Sequence, residues 1–205
     1  MLLVKSNSIR IIGTTGTTHD TVELRQIQAT GNVAQNSGGA VSINGEANVT
    51  IIGGSYNLNR AQNGGAIFVL GGAVVTGHTG PTFVGNTATN NGGAIWTRDS
   101  RTTLFGAIVR GNTANNNGGG FFVGAGGRFL SLIDTVVIGN IASQRGGGAY
   151  NARLLFSSGS VWVDNIAGTT GGAVYGAASS ASRVLDDLFA GNLPNNTAGP
   201  GTFTA

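Results

Sequence analysis

The chain has 205 residues, of which 37 are Gly, 9% are charged and 40% are hydrophobic, with a formal net charge of +3 and no Cys. It is too apolar for a disordered chain, shows no collagen triplet period, and can form neither a disulfide framework nor a thiolate metal site. Lys5 is the only Lys and the Arg residues are scattered, so there is no basic run to hold nucleic acid, and no apolar stretch is long enough to span a bilayer.

In chain order, Leu2-Leu3-Val4 and Ile9-Arg10-Ile11-Ile12 read as short strands. Met1 to Arg10 has no long apolar segment and no small-residue cleavage site. The chain is therefore either cytosolic or exported by a signal outside it. Thr14 to Thr18 is Thr-rich, but no Thr column is expected to repeat at one phase. Residues 1–26 are expected to form an irregular first coil.

From residue 27 a repeat takes over. Gly pairs begin at Gly38, Gly64, Gly92, Gly118, Gly146 and Gly171, with a degenerate seventh at Ala198-Gly199. The steps are 26, 28, 26, 28, 25 and 27 residues, with a mean of about 27. Six residues before each pair stands Asn: Asn32, Asn86, Asn112, Asn140, Asn165 and Asn192; the second repeat has Leu58 there, with Asn57 and Asn59 beside it. Three before the Asn lies an apolar residue, such as Phe83, Val137 or Trp162. After each pair comes a small residue, then an apolar row (Val41, Ile67, Ile95, Phe121, Ala149, Val174), then a mostly aromatic row.

Short β-type runs thus alternate with Gly and Asn turns, and no segment carries a capped 3.6-residue period. A unit of two or three short strands cannot bury its own apolar residues, but stacking on its copies does. The expected fold is all-β: a single-stranded parallel β-helix of about seven coils of roughly 27 residues, right-handed by analogy, with essentially no helix. The expected organisation is one domain over 1–205, with regular repeats over 27–199 and a tail over 200–205. Stacked Asn at one turn is expected to form a structural ladder.

Phe83-Val84-Gly85-Asn86, repeated as Phe189-Ala190-Gly191-Asn192, and Gly92-Gly93-Ala94-Ile95, repeated at Gly38, Gly64 and Gly171, resemble the two alternating motifs of the chlamydial polymorphic outer-membrane proteins. The resemblance spans about residues 27 to 199 and implies a surface-exposed, often adhesive autotransporter β-helix. The chain departs from that family in showing no C-terminal barrel and in having Val, Trp or Ala at several Phe positions. Pectate-lyase-like enzymes and phage tailspikes share the fold, so chemistry must be sought in the residues.

The acids do not cluster by phase. Asp134 and Asp186 share one phase but are two coils apart, with Gly159 between them. The His-containing sites, His19-Asp20 and His78, read as exposed turns, and the glycine-rich stretches lack the helix that a phosphate loop needs. No catalytic residue, metal ligand or cofactor is assigned.

Two surfaces remain. Phe68, Trp96, Phe122, Tyr150 and Tyr175 share one phase, and alternation places them opposite the aliphatic row. They either fill the core or form an outward stripe that could stack sugar rings or meet another rod. The ends carry no helix or charge cluster as a cap, so Leu2, Val4, Ile9, Ile11 and Phe203 are candidates for head-to-tail pairing into a filament. The expected function is a non-enzymatic extracellular or cell-surface structural or adhesive protein that associates with itself. The alternative is a β-helix that binds or degrades carbohydrate, with environmental or host glycans as partners.

Overall fold

The computed structural model describes residues 3–4, 8–13, 20–126 and 128–204. The chain winds as a β-solenoid of about seven turns, and the described residues contain no helix. Every strand pairing is parallel, between equivalent positions of successive coils. Each complete central coil contributes four strands rather than two or three. In chain order from Gln28 they build sheet I (Gln28–Thr30 and its copies), sheet II (Arg60–Asn63), sheet III (Val41–Asn44) and sheet IV (Ala47–Ile52). Sheets I, III and IV have eight strands and sheet II has five.

The repeat motifs map onto this frame residue by residue. The row three before the Asn points inward from sheet I: Ala29, Tyr56, Phe83, Val109, Val137 and Trp162 are all 0% exposed. The aliphatic row points inward from sheet III, where Val41, Ile67, Ile95, Phe121, Ala149 and Val174 join the same core. Sheet IV adds Val49, Ile51, Leu104, Leu130 and Leu132. Alternation does the sorting, since successive side chains on a strand face opposite sides.

The Gly pair turns the chain from sheet II into sheet III, and its two members answer different demands. Gly118 has φ +69, a left-handed conformation that a Cβ would oppose. Gly119 has an ordinary φ, but a Cβ there would lie 2.4 Å from the Gly147 carbonyl oxygen. One glycine supplies conformation and the next supplies close approach between coils.

The Asn row forms a buried ladder. The Asn112 amide nitrogen donates to Asn140 Oδ1 at 2.9 Å, and its backbone N–H donates to the same oxygen at 3.0 Å. Asn112 Nδ2 also donates to the Phe83 carbonyl at 2.9 Å. The pattern repeats at Asn86, Asn140 and Asn165 and ends on Asn192. In the second coil the rung is Asn59, not the residue at position 58: Asn59 accepts from Asn32 and donates to Asn86. Leu58 instead takes the left-handed position, with φ 57, that Gly85 and Gly111 hold elsewhere. The coil is one residue short before its Gly pair, and a register shift between Ala88 and Asn91 absorbs the difference.

The last coil also departs from the repeat. Thr197 pairs with Val174 and Ala198 with Tyr175, so Ala198-Gly199 is not a seventh copy of the Gly pair. Leu3–Val4, Ile9–Ile12, Asp20–Arg25 and Thr202–Thr204 all join the sheets.

Candidate functional site

The outer row of sheet III carries the aromatic residues, and it is not part of the core. Phe121 is 0% exposed inside, while Phe122 faces the other way. Phe68, Trp96, Phe122, Tyr150 and Tyr175 form one continuous stack, with centroid separations of 4.5, 5.9, 5.0 and 5.3 Å and interplanar angles of 7, 7, 4 and 20°. The rings lie face to face along the rod, so each ring covers its neighbours. Phe68, Trp96 and Tyr175 are therefore only 8–9% exposed although they lie outside the core. Within the stack, ring edges rather than ring faces reach solvent.

A second set of amides runs beside the aromatic stack, at the ends of the sheet II strands. Asn116 Nδ2 donates to Asn90 Oδ1, and Gln144 Nε2 donates to Asn116 Oδ1 at 3.2 Å. One residue further, Asn117 Nδ2 donates to Asn91 Oδ1 at 3.3 Å. Between this amide wall and the aromatic row lies a cleft of about 300 Å³, lined by Asn63, Asn90, Asn91, Trp96, Arg98 and Phe122. Nearer the N-terminus the same two elements bound a cleft of about 490 Å³, with Arg10 and Ser42 in the aromatic phase and Asn36 and Ser37 in the amide phase. The two clefts lie at successive levels beside the same two rows and mark out a groove parallel to the rod axis.

Cationic groups border it. The Arg98 guanidinium lies 5.4 Å from the Trp96 ring centroid, and its Nε is 3.4 Å from Asp99 Oδ2. The Arg145 guanidinium lies 5.1 Å from the Tyr175 ring. Burial raises the Tyr150 phenol pKa, as does neighbouring Tyr175, against a lowering by Arg145. Tyr150 therefore stays a neutral hydrogen-bonding group at physiological pH. The sequence reading missed the amide wall, although its signal was present in Asn90-Asn91, Asn116-Asn117 and Gln144 before successive Gly pairs.

The other predicted residues fall elsewhere. Ile11 is buried, and Ile9 and Phe203 pack against the core at opposite ends of the rod. Val4 lies in the end strand Leu3–Val4. Leu2, His19 and Thr14 to Thr18 lie outside the described residues. His78 is exposed on sheet IV and stacks on Phe105 at 5.0 Å. Asp134, Gly159 and Asp186 occupy one phase, and Asp134 leans over Gly159: a Cβ there would lie 2.6 Å from Asp134 Oδ1. Among the described residues, no group of three His, Asp or Glu gathers as a metal site. A Thr column does exist on the outer face of sheet IV, where Thr50, Thr76 and Thr103 align. It is short, and against the expectation of no Thr column Thr50 and Thr76 hold one phase from their preceding Gly pairs, with Thr103 one residue nearer.

Residues 82–98 match the Chlamydia polymorphic membrane protein (Chlamydia_PMP) repeat. That segment holds both motifs of one coil, from Phe83 through Asn86 to Ile95, and the Trp96 and Arg98 of the groove. No curated protein and no solved structure gives a significant match. No helix among the described residues is long and apolar enough to cross a membrane. The repeat match and the solenoid fit a surface β-helix protein.

Proposed function

We propose that this chain is a non-catalytic adhesive rod displayed at a cell surface, and that the groove between the aromatic stack and the outer amide wall is its contact face. The observation that carries the reading is the placement of five aromatic side chains outside the core, in one unbroken stack beside hydrogen-bonding amides. A core that needed those rings would have turned them inward. The exterior row gives the groove a fixed apolar floor, and the wall offers donors and acceptors at three successive coils, about 4.8 Å apart. Such a surface suits an extended ligand lying along the rod. The end-to-end filament remains part of the reading: Ile9 and Phe203, at opposite ends, would cover the core of the next copy.

A second reading, glycan recognition, draws support from the amide wall, because amides and hydroxyls exchange hydrogen bonds readily. A pyranose in an extended chain advances by roughly one coil spacing. The test is binding of labelled protein to cultured animal cells, with soluble oligosaccharides as competitors. Saturable binding supports adhesion, and competition by oligosaccharide assigns it to glycans. Absence of saturable binding would overturn the adhesive reading. Light scattering across a concentration series tests the filament, which a strict monomer would exclude.

A further inference from the structure

Among the described residues, five of the nine exposed large aliphatic side chains lie on sheets I and II of the fourth to seventh coils. On sheet I, Ile108 is 40% exposed and Leu188 58%; on sheet II, Ile141, Ile166 and Leu193 are 43%, 41% and 56% exposed. Strand register joins them into columns. Ile108, Val136, Val161 and Leu188 align on the outer face of sheet I, with Ile138 and Val163 in the adjacent column. Ile141, Ile166 and Leu193 align on sheet II. The sheet I column is polar in the earlier coils, with Gln28, Ser55 and Thr82, and on sheet II Arg60, Thr87 and Thr113 precede Ile141, while Val33 of the first coil is apolar and 65% exposed. Uniform chemistry would suffice for folding, so the change marks a surface with a task.

We propose that this aliphatic face is where two copies of the chain pack side by side, sheet against sheet. Three observations select a second copy as the occupant. First, the face repeats at the coil spacing of about 4.8 Å, and a second copy is a partner with the same spacing, so rows and furrows stay in register across the whole contact. Second, Arg110 is the only charged residue in these columns from the fourth coil onward. A two-fold axis along the Val136–Ile138 strand carries Arg110 of one copy to the level of Val163 and the exposed Asp164 of the other, where cation meets carboxylate. Third, that axis pairs the fourth to sixth coils with one another and the seventh with the third, so five coils by the seven or so residues from sheet I through sheet II give about 500 Å² on each copy, or about 1,000 Å² in all. That is the low end for protein association, and it implies a reversible dimer rather than an obligate one. The contact is isologous and closes on itself, unlike head-to-tail pairing at the ends, and it does not depend on the groove.

The test is sedimentation velocity over a wide concentration range, on the wild type and on Ile138→Lys and Val161→Lys. The wild type is expected to shift from monomer toward dimer as concentration rises, and both variants to stay monomeric with melting temperatures within a few degrees of wild type. Because the chain has no Cys, a single Val136→Cys near the proposed axis is expected to give a covalent dimer on oxidation, while Thr50→Cys on sheet IV is expected to stay monomeric. A wild type that remains monomeric throughout, association that survives both Lys variants, or equal cross-linking at the two Cys positions would overturn the proposal.

Discussion

Two ladders of side-chain amides follow this rod at the same spacing, an inner one from Asn32 to Asn192 and an outer one over three coils. The inner ladder is buried: Asn86, Asn112, Asn140 and Asn165 are 0% exposed, and each oxygen accepts from a backbone N–H and a side-chain amide of the preceding coil. The outer ladder of Asn90, Asn116 and Gln144 is partly open to solvent and bonded mainly along its own row. The residue type is the same and the energetic role is opposite. Inside, an amide is obligatory, because each rung satisfies backbone groups that no water can reach. Outside, water can replace any lost partner, so these amides are free to serve a ligand.

Substitutions can break or sharpen this contrast. The largest effect is expected from Ile95→Asp, which places an unpaired carboxylate in the sheet III core. A loss of more than about 4 kcal/mol, enough to abolish folding, is the expected outcome of a denaturant titration. Next is Asn140→Ala, which removes the acceptor of the Asn112 backbone N–H and one of the two acceptors of its Nδ2, and the side-chain donor to the Val109 carbonyl. The expected cost is about 3–5 kcal/mol, at 1–3 for each buried group that loses a partner. Smaller, and of opposite sign, is Tyr56→Phe. The Tyr56 hydroxyl is buried with no hydrogen-bond partner, so removing it is expected to stabilise the fold by about 1 kcal/mol. Burial also raises the Tyr56 pKa above its ordinary value of 10.0. A raised pKa means that the folded state holds the proton longer, so this contribution is intact below pH 10 and is lost as the pH rises further. Alkaline melts of wild type and Tyr56→Phe are expected to diverge there, with the wild type losing stability more steeply. The smallest effect is expected from Asn116→Ala on the outer ladder, within about 0.5 kcal/mol of wild type in a thermal melt. A cost there like that of Asn140→Ala would erase the distinction between the ladders.

Much of the frame was legible from residue types alone, because each coil must satisfy the same turn. A Gly pair after an Asn fixes the corner, and alternation then fixes which neighbour faces inward, as at Ile95 and Trp96. What stayed hidden were insertions and deletions between landmarks. Asn59 replaces the expected rung because its coil is one residue short, and Ala198 misses the Gly-pair phase because the final turn is shorter still. A ruler anchored at one corner loses register after each such change, as at Thr103, which sits one residue nearer its preceding Gly pair than Thr50 and Thr76 do. Ring orientation was hidden for a different reason. Periodicity shows that Phe68 to Tyr175 share a row, but only the side-chain torsions decide whether the rings offer faces or edges.

The central claim is that the fold is held from inside while the groove outside is free to bind. The most direct measurement is cell adhesion by a triple variant, Asn90→Ala, Asn116→Ala and Arg98→Ala, matched to wild type for melting temperature. All three residues line the groove or extend its wall, and none touches the inner ladder. The account predicts an unchanged melt and a loss of adhesion of at least tenfold. Full adhesion by the stable variant would contradict it.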